Sequence, residues 1–214
     1  MAGDEPFITV AGNIGTGKTT VVEVLAARLQ LTPYFEGPDR NPFFSRLYSD
    51  PVAWSFHSQL AFLTAAVADH AAITRAGHGA VTDRGIDEMQ RVFSVAYAES
   101  GFIGVDELRL LDELVQAAES VLAPPDLLVF VHAPVEELLA RISERGRPEE
   151  AGIEAEYLLG LERRYESWLR AWDRSPALSI DTTAIDPRTP AGARRLVDQV
   201  HGALGGRSRA IGGG

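Results

Sequence analysis

Apolar residues follow two alternating rhythms along this chain. Short runs rich in β-branched and large apolar residues read as five strands: Phe7-Ile8-Thr9-Val10-Ala11, Pro33-Tyr34-Phe35, Gly79-Ala80-Val81-Thr82, Asp126-Leu127-Leu128-Val129-Phe130-Val131-His132 and Ala177-Leu178-Ser179-Ile180. Between them lie longer segments with apolar residues at helical spacing, at Val21 to Leu29 and at about 52–76, 86–98, 104–122, 135–144, 154–173 and 188–204. Pro124-Pro125 stops one helix before the fourth strand. Strands that alternate with helices predict an α/β protein of three layers, with a parallel sheet of about five strands covered on both faces. No repeat or linker divides the chain, so residues 1–205 are expected to form a single domain. The Gly-rich segment 206–214 cannot build a core and is expected to be a flexible tail.

The first junction carries the most specific chemistry. Gly12-Asn13-Ile14-Gly15-Thr16-Gly17-Lys18-Thr19 fits G-x-x-x-x-G-K-[ST], between a predicted strand and a predicted helix. Glycines there let backbone N–H groups turn around an anion, and the helix N-terminus adds its positive dipole end. Lys18 supplies a point charge to the β- and γ-phosphates, and Thr19 a hydroxyl to Mg²⁺. The expected ATP-binding set is therefore Gly12, Asn13, Gly15, Thr16, Gly17, Lys18, Thr19 and Thr20. A dinucleotide fingerprint is the rival reading of the same glycines, with Glu36 as its ribose acid, but Thr20 stands in place of the third glycine and Lys18-Thr19 has no role in it.

Composition narrows the setting. The formal net charge of −10 argues against general affinity for a nucleic acid backbone. No apolar run is long enough to cross a bilayer, the N-terminus lacks the basic start and apolar stretch of a signal peptide, and cysteine is absent. A cytoplasmic protein without membrane or nucleic acid partners is expected.

In such folds ligands sit beyond the carboxyl ends of the strands. Glu36 follows the second predicted strand, where its carboxylate could take a proton from a hydroxyl beside the γ-phosphate; a solvated loop glutamate is the alternative. Asp83-Arg84 ends the third, offering a carboxylate for Mg²⁺ and an arginine for the substrate, or else a structural ion pair. Arg141, Arg145 and Arg147 cluster where a helix breaks at Gly146, which suits a mobile lid over about 144–153, although charge runs of this kind also form solvated helix faces. The histidines, His57, His70, His78, His132 and His201, show no metal-ligand spacing, and Trp54, Trp168 and Trp172 read as packing groups.

Taken in order, these segments resemble the deoxynucleoside kinases, from the phosphate loop to about Trp168. Phe35-Glu36-Gly37-Pro38-Asp39-Arg40-Asn41-Pro42-Phe43-Phe44 is similar to that family's F-E-P-V-x-x-N-P-Y-L. Tyr48-Ser49-Asp50-Pro51 with Trp54 and Gln59 resembles its Y-x-D-P…W…Q segment. Asp83-Arg84-Gly85-Ile86 resembles its [DE]-R-S-[IV] motif with Phe93 following, and Arg141 to Glu150, Tyr157-Leu158 and Tyr165-Glu166-Ser167-Trp168 resemble its lid and next helix. The resemblance implies a P-loop kinase fold with an arginine-rich lid and transfer of the γ-phosphate of ATP to a deoxynucleoside 5′-hydroxyl. Glu36 would be the general base and Arg84 would steady it. Asp83 and Thr19 would hold Mg²⁺, and Tyr48 and Glu150 the sugar 3′-hydroxyl. Gln59 would bond the base and Phe93 stack on it, while Arg141, Arg145 and Arg147 would clamp the phosphates. A homodimer is implied too, and the apolar helices at 52–76 and 104–122 permit one.

Four positions depart from the family pattern. Gly37 replaces a proline and Gly85 a serine, which predicts looser loops around Glu36 and Arg84. Met89 and Ala66 stand where purine- and cytidine-preferring members carry an aspartate and an arginine, which opens the site to thymidine or an unusual nucleoside. The rival functions are a nucleoside-monophosphate kinase of the thymidylate type, which needs basic groups for the acceptor's phosphate (Arg40 and Arg46 are nearest), and a nucleotide-binding module without transfer activity. A polynucleotide kinase conflicts with the acidic balance.

Overall fold

A computed structural model describes residues 5–77 and 79–210; His78, the first four residues and 211–214 lie outside the described residues. Five strands form one parallel sheet: β1 (Phe7–Ala11), β2 (Thr32–Tyr34), β3 (Ala80–Asp83), β4 (Leu127–His132) and β5 (Ala177–Asp181), in the order β2-β3-β1-β4-β5. Ile8 lies between Val81 of β3 and Leu127 of β4, which fixes the register of the three central strands.

Alternation along β4 explains why the sheet has two covered faces. Leu127, Val129 and Val131 point to one side, where α1 (Lys18–Leu29) and the C-terminal α9 (Pro190–Ala210) pack through Val21, Val22, Leu25, Leu196 and Val200. Leu128 and Phe130 point to the other, against Val92, Phe93, Leu161, Tyr165 and Trp168. These come from a helical segment after β3 and from α8 (Ala155–Ala171). Outside that layer lie α3 (Pro51–Ala76) and α6 (Val105–Glu119), joined through Leu63, Ile86, Met89, Leu111 and Val115. The short α2 (Phe44–Ser49) precedes α3, and α7 (Val135–Arg145) packs on α8 through Leu138, Ile142 and Leu158.

The ends of α3 follow from sequence. The Asp50 side chain accepts a hydrogen bond from Ala53 N at 3.1 Å, Pro51 opens the first turn, and Gly77 closes the helix at φ +64°. Its buried positions include Ser55, Ser58 and Gln59, polar residues that a core-facing stripe would not have. Gln59 and Phe62 face a cleft instead.

The predicted helix at 86–98 is three pieces: α4 (Ile86–Glu88), a π-helix (Met89–Ser94) and α5 (Val95–Glu99). A wide turn of this type is invisible to a 3.6-residue periodicity search and often marks a functional site. The predicted helix at 188–204 runs as α9 to Ala210, so it takes in the first residues of the segment read as a tail.

The connection from β1 leads to one side of the sheet and that from β3 to the other. A crevice therefore opens between their carboxyl ends. The glycine loop leaves β1 there, and Asp83-Arg84 ends β3 beside it.

Candidate active site

The loop between β1 and α1 has the backbone its glycines predict. Gly12, Gly15 and Gly17 have φ of +154°, +84° and +87°. A Cβ at Gly12 would lie 2.3 Å from the Val131 carbonyl oxygen, whereas one at Gly17 meets nothing within 4 Å. The two positions therefore differ in kind. Gly17→Ala carries only a left-handed backbone cost of about 1 kcal/mol. Gly12→Ala also forces β1 from β4 and is expected to cost about 3 kcal/mol, read as the larger fall in Tm and loss of ATP binding. Equal Tm values for the two variants would contradict this.

Lys18 is buried with its Nζ donating to the Gly12 carbonyl at 2.8 Å and the Asn13 carbonyl at 3.0 Å. Burial, with the nearby Arg84 charge, lowers its pKa to about 8. Asn13 Nδ2 donates to Leu158 O at 3.0 Å and Glu162 Oε1 at 2.9 Å, which ties the loop to α8. The Thr16 hydroxyl donates to Asn13 O at 2.8 Å.

Across the crevice, Arg84 is the hub. Its φ is +77°, a left-handed conformation rare for a side chain of this size, and its N–H donates to Val10 O at 2.9 Å. Arg84 Nε donates to Glu36 Oε2 at 2.8 Å, and Nη1 to Glu88 Oε1 at 3.2 Å and Tyr165 OH at 3.4 Å. The guanidinium carbon sits 4.0 Å from the Phe93 ring centroid. Asp83 Oδ2 accepts from the Thr19 hydroxyl at 2.8 Å. Asp83 Oδ1 is buried with no hydrogen-bond partner among the described residues.

Two cavities flank the loop. One, of about 270 Å³, is lined by Lys18, Thr19, Glu36, Tyr48, Gln59, Asp83, Arg84, Phe93, Arg145, Arg147 and Glu150, with Met89, Phe62, Tyr97 and Tyr157. Sequence reasoning had predicted the first eleven, and they meet in one place. The other, of about 300 Å³, is lined by Gly15, Thr16, Gly17, Thr20, Arg141 and Arg145, and by Thr182, Asp186 and Arg188 beyond β5. Arg145 borders both. Arg141 does not border the first cavity: its guanidinium is held by Glu137 Oε1 at 2.8 Å, the Thr182 hydroxyl at 2.9 Å and the Thr182 carbonyl at 3.3 Å. His57 is exposed and bonds Ala53 O at 3.2 Å, away from the cleft.

A family model described as deoxynucleoside kinase matches residues 8–203. The chain belongs to the deoxynucleoside kinase family. Its members are phosphotransferases with an alcohol group as acceptor. This kinase is 32% identical over 199 residues to a deoxyadenosine/deoxycytidine kinase of Bacillus subtilis, covering 91% of each chain. It is 30% identical over 204 residues to a deoxyguanosine kinase of Lactobacillus acidophilus, covering 90% of this chain and 88% of the relative. Its fold matches that of a deoxyadenosine kinase from M. mycoides with a TM-score of 0.76, at 20% identity over 91% of this chain and 98% of that one. Among the described residues, no helix of the kinase is long and apolar enough to cross a membrane.

Two site residues of the kinase escaped sequence reasoning. Glu88 is fully buried and accepts from Gly12 N at 3.1 Å, from Arg84 Nη1 and from the Tyr165 hydroxyl through Oε1, and from Gly85 N at 3.4 Å through Oε2. Burial pushes its pKa up, opposed by Arg84 and Lys18. The i,i+4 spacing from Arg84 was a signal for Glu88. Tyr165, which reaches the loop from α8, stood in a segment that carries the resemblance but without a role of its own.

The two departing glycines have ordinary backbones. Gly85 has φ −110° and Gly37 φ −105°, ordinary extended values. Gly85 is set by room: a Cβ there would lie 3.0 Å from Thr9 Cγ2. Met89 borders the cleft, and Ala66 lies behind it in a separate cavity. The unpartnered Asp83 oxygen beside the Thr19 hydroxyl is a pair of hard donors that fits a divalent cation such as Mg²⁺.

Proposed function

We propose that this chain transfers the γ-phosphoryl group of ATP to the 5′-hydroxyl of a deoxynucleoside, with Glu36 as general base. One observation carries the reading: Glu36, fixed by Arg84 Nε at 2.8 Å, shares a single cleft with Lys18, Thr19 and Asp83. The acceptor hydroxyl gives its proton to Glu36 as its oxygen bonds to the γ-phosphorus and the bond to the β-γ bridging oxygen breaks, releasing ADP. Lys18 leaves the two loop carbonyls for the phosphates, and Arg145 meets them from the border of both cavities. Thr19 and Asp83 would hold Mg²⁺, which would supply further neutralisation of the phosphate charge.

The acceptor rests against side chains of matching chemistry. Gln59 turns its amide to the base, with Ser94 Oγ 3.4 Å from its Oε1 and 3.1 Å from the Met89 carbonyl, two acceptors that share one hydroxyl proton. Arg84 covers one face of Phe93, and the ring borders the cleft where the base would stack. Tyr48 and Glu150 hold the 3′-hydroxyl. Without ligand, Glu150 accepts from Arg145 Nη2 at 2.6 Å and Arg147 Nη1 at 3.5 Å. The arginines of the lid at 144–153 therefore exchange this carboxylate for phosphate as the sugar takes their place. Met89 and Phe62 line the cleft with Gln59, so selection among bases rests on the Gln59 amide and on shape.

A homodimer through α3 and α6 would cover Val52, Val105 and Leu110, which are exposed in the single chain. A reaction that consumes ATP and recovers preformed nucleosides as 5′-monophosphates belongs to nucleotide salvage in the cytoplasm. Residues 1–205 serve as one catalytic domain.

The test is transfer from ATP–Mg²⁺ to a panel of deoxynucleosides and their 5′-monophosphates, scored by product mass. A deoxynucleoside that gains one phosphate is the expected result. Gain on monophosphates alone would overturn the reading in favour of a nucleotide kinase, and no gain on either would leave a binding module.

A further inference from the structure

Glu88 has no part in the transfer described above, yet it is among the most enclosed charged groups of the chain, 0% exposed. A carboxylate in such a place is costly unless every lone pair is used. Its donors come from three separate elements. Gly12 N–H, at 3.1 Å, belongs to the phosphate loop. Arg84 Nη1, at 3.2 Å, belongs to the residue whose Nε holds Glu36. The Tyr165 hydroxyl belongs to α8, the helix that follows the lid.

Tyr165 makes the arrangement more specific. Its hydroxyl has one proton and faces two acceptors, Glu88 Oε1 and, at 2.7 Å, the Gly12 carbonyl. That same carbonyl accepts from Lys18 Nζ at 2.8 Å. When Lys18 turns to a phosphate, the Gly12 carbonyl loses a donor. Tyr165 is already within reach to replace it, while Glu88 keeps Arg84 and the Gly12 N–H. Gly12 is thereby held at both its N–H and its C=O throughout the exchange.

We propose that Glu88, with Tyr165, is a positioning residue that registers the phosphate loop against the Arg84–Glu36 pair, so that donor phosphorus and acceptor oxygen are aligned through one buried carboxylate. The inference rests on the proposed transfer reaction. Neither side chain touches substrate; each acts through Gly12 and Arg84. Misplacing the two halves of the site acts on the step between bound reactants, not on their binding.

Glu88→Gln keeps the shape and removes the charge. It is expected to lower kcat about a hundredfold. The KM values for ATP and for the deoxynucleoside should stay within about threefold of the parent, the signature of an interaction that matters in the transition state. Tyr165→Phe keeps the ring in the core and should lower kcat by about tenfold, and the double variant should be no slower than Glu88→Gln, because the two act as a unit. If Glu88→Gln fails to fold, Tyr165→Phe carries the same kinetic test. Unchanged kcat per folded molecule, with only Tm or KM altered, would overturn the role. A second readout does not depend on transfer: with ATP bound, the amide of Gly12 should exchange with solvent at least about tenfold faster in Glu88→Gln than in the parent. A parent chain that phosphorylates no nucleoside would remove the proposed function, and the exchange measurement would still decide this inference, equal rates overturning it.

Discussion

Glu36→Gln should bind ATP as the parent does and lose about a hundred- to ten-thousandfold in kcat, the range set by removal of a positioned general base. The substitution is nearly isosteric, and Arg84 Nε can still donate to the amide oxygen in place of Glu36 Oε2, now 2.8 Å away. Loss of shape is therefore not the cause. Only the capacity to take the proton disappears. The loss should be in kcat and not in the KM for ATP, because Glu36 borders the acceptor cleft and is absent from the lining of the cavity around Thr20 and Arg141. Steady-state kinetics with a measured ATP dissociation constant decides it. A variant that turns over at the parental rate would strip Glu36 of its assignment and leave it as a clamp for Arg84.

Arg84→Lys should be almost as damaging, by about a hundredfold or more in kcat, although the charge is retained. A lysine at φ +77° bears the same backbone strain as arginine, so the variant isolates the fork. One ammonium cannot reach Glu36, Glu88 and the Tyr165 hydroxyl in the directions that Nε and Nη1 now take. It also leaves the face of Phe93 open. Stability should fall as well, since Glu88 keeps its burial and loses the hydrogen bond that Arg84 Nη1 now donates to it. Kinetics and thermal unfolding read together check this; parental kcat in Arg84→Lys would mean that charge alone suffices at the hub.

The sequence made the frame legible because each strand is short, apolar and bounded by breakers. All five strands lie within one or two residues of their expected places. The phosphate loop was legible for a stronger reason: glycine at positive φ and lysine beside threonine leave few other uses for that spacing. The cleft beside Glu36 was readable through the resemblance, and residues from α2, α3, the π-helix and the segment 145–150 do meet there. What remained hidden depends on depth and on contacts between distant elements. Ser55 and Ser58 interrupt the buried side of α3 where an apolar stripe was expected. The π turn at Met89–Ser94 has no signature in a helical pattern. Tyr165 sits among apolar residues at core spacing, and nothing in its neighbours on α8 reveals that its hydroxyl ends at Gly12, 153 positions earlier. The loop beyond β5, with Thr182 and Asp186, borders the second cavity without any motif to announce it.

The tight approach of Gly85 to Thr9 changes how this chain should be compared with its kin. A serine at 85 would bring its Cβ to 3.0 Å from a methyl group of the neighbouring strand. A side chain at 85 therefore requires the Thr9 side chain to give by a few tenths of an ångström. A missing serine in the signature then says nothing about lost catalysis. The room beside the motif is set by the third residue of β1, so position 85 is weighed together with Thr9 when the motif is compared between chains.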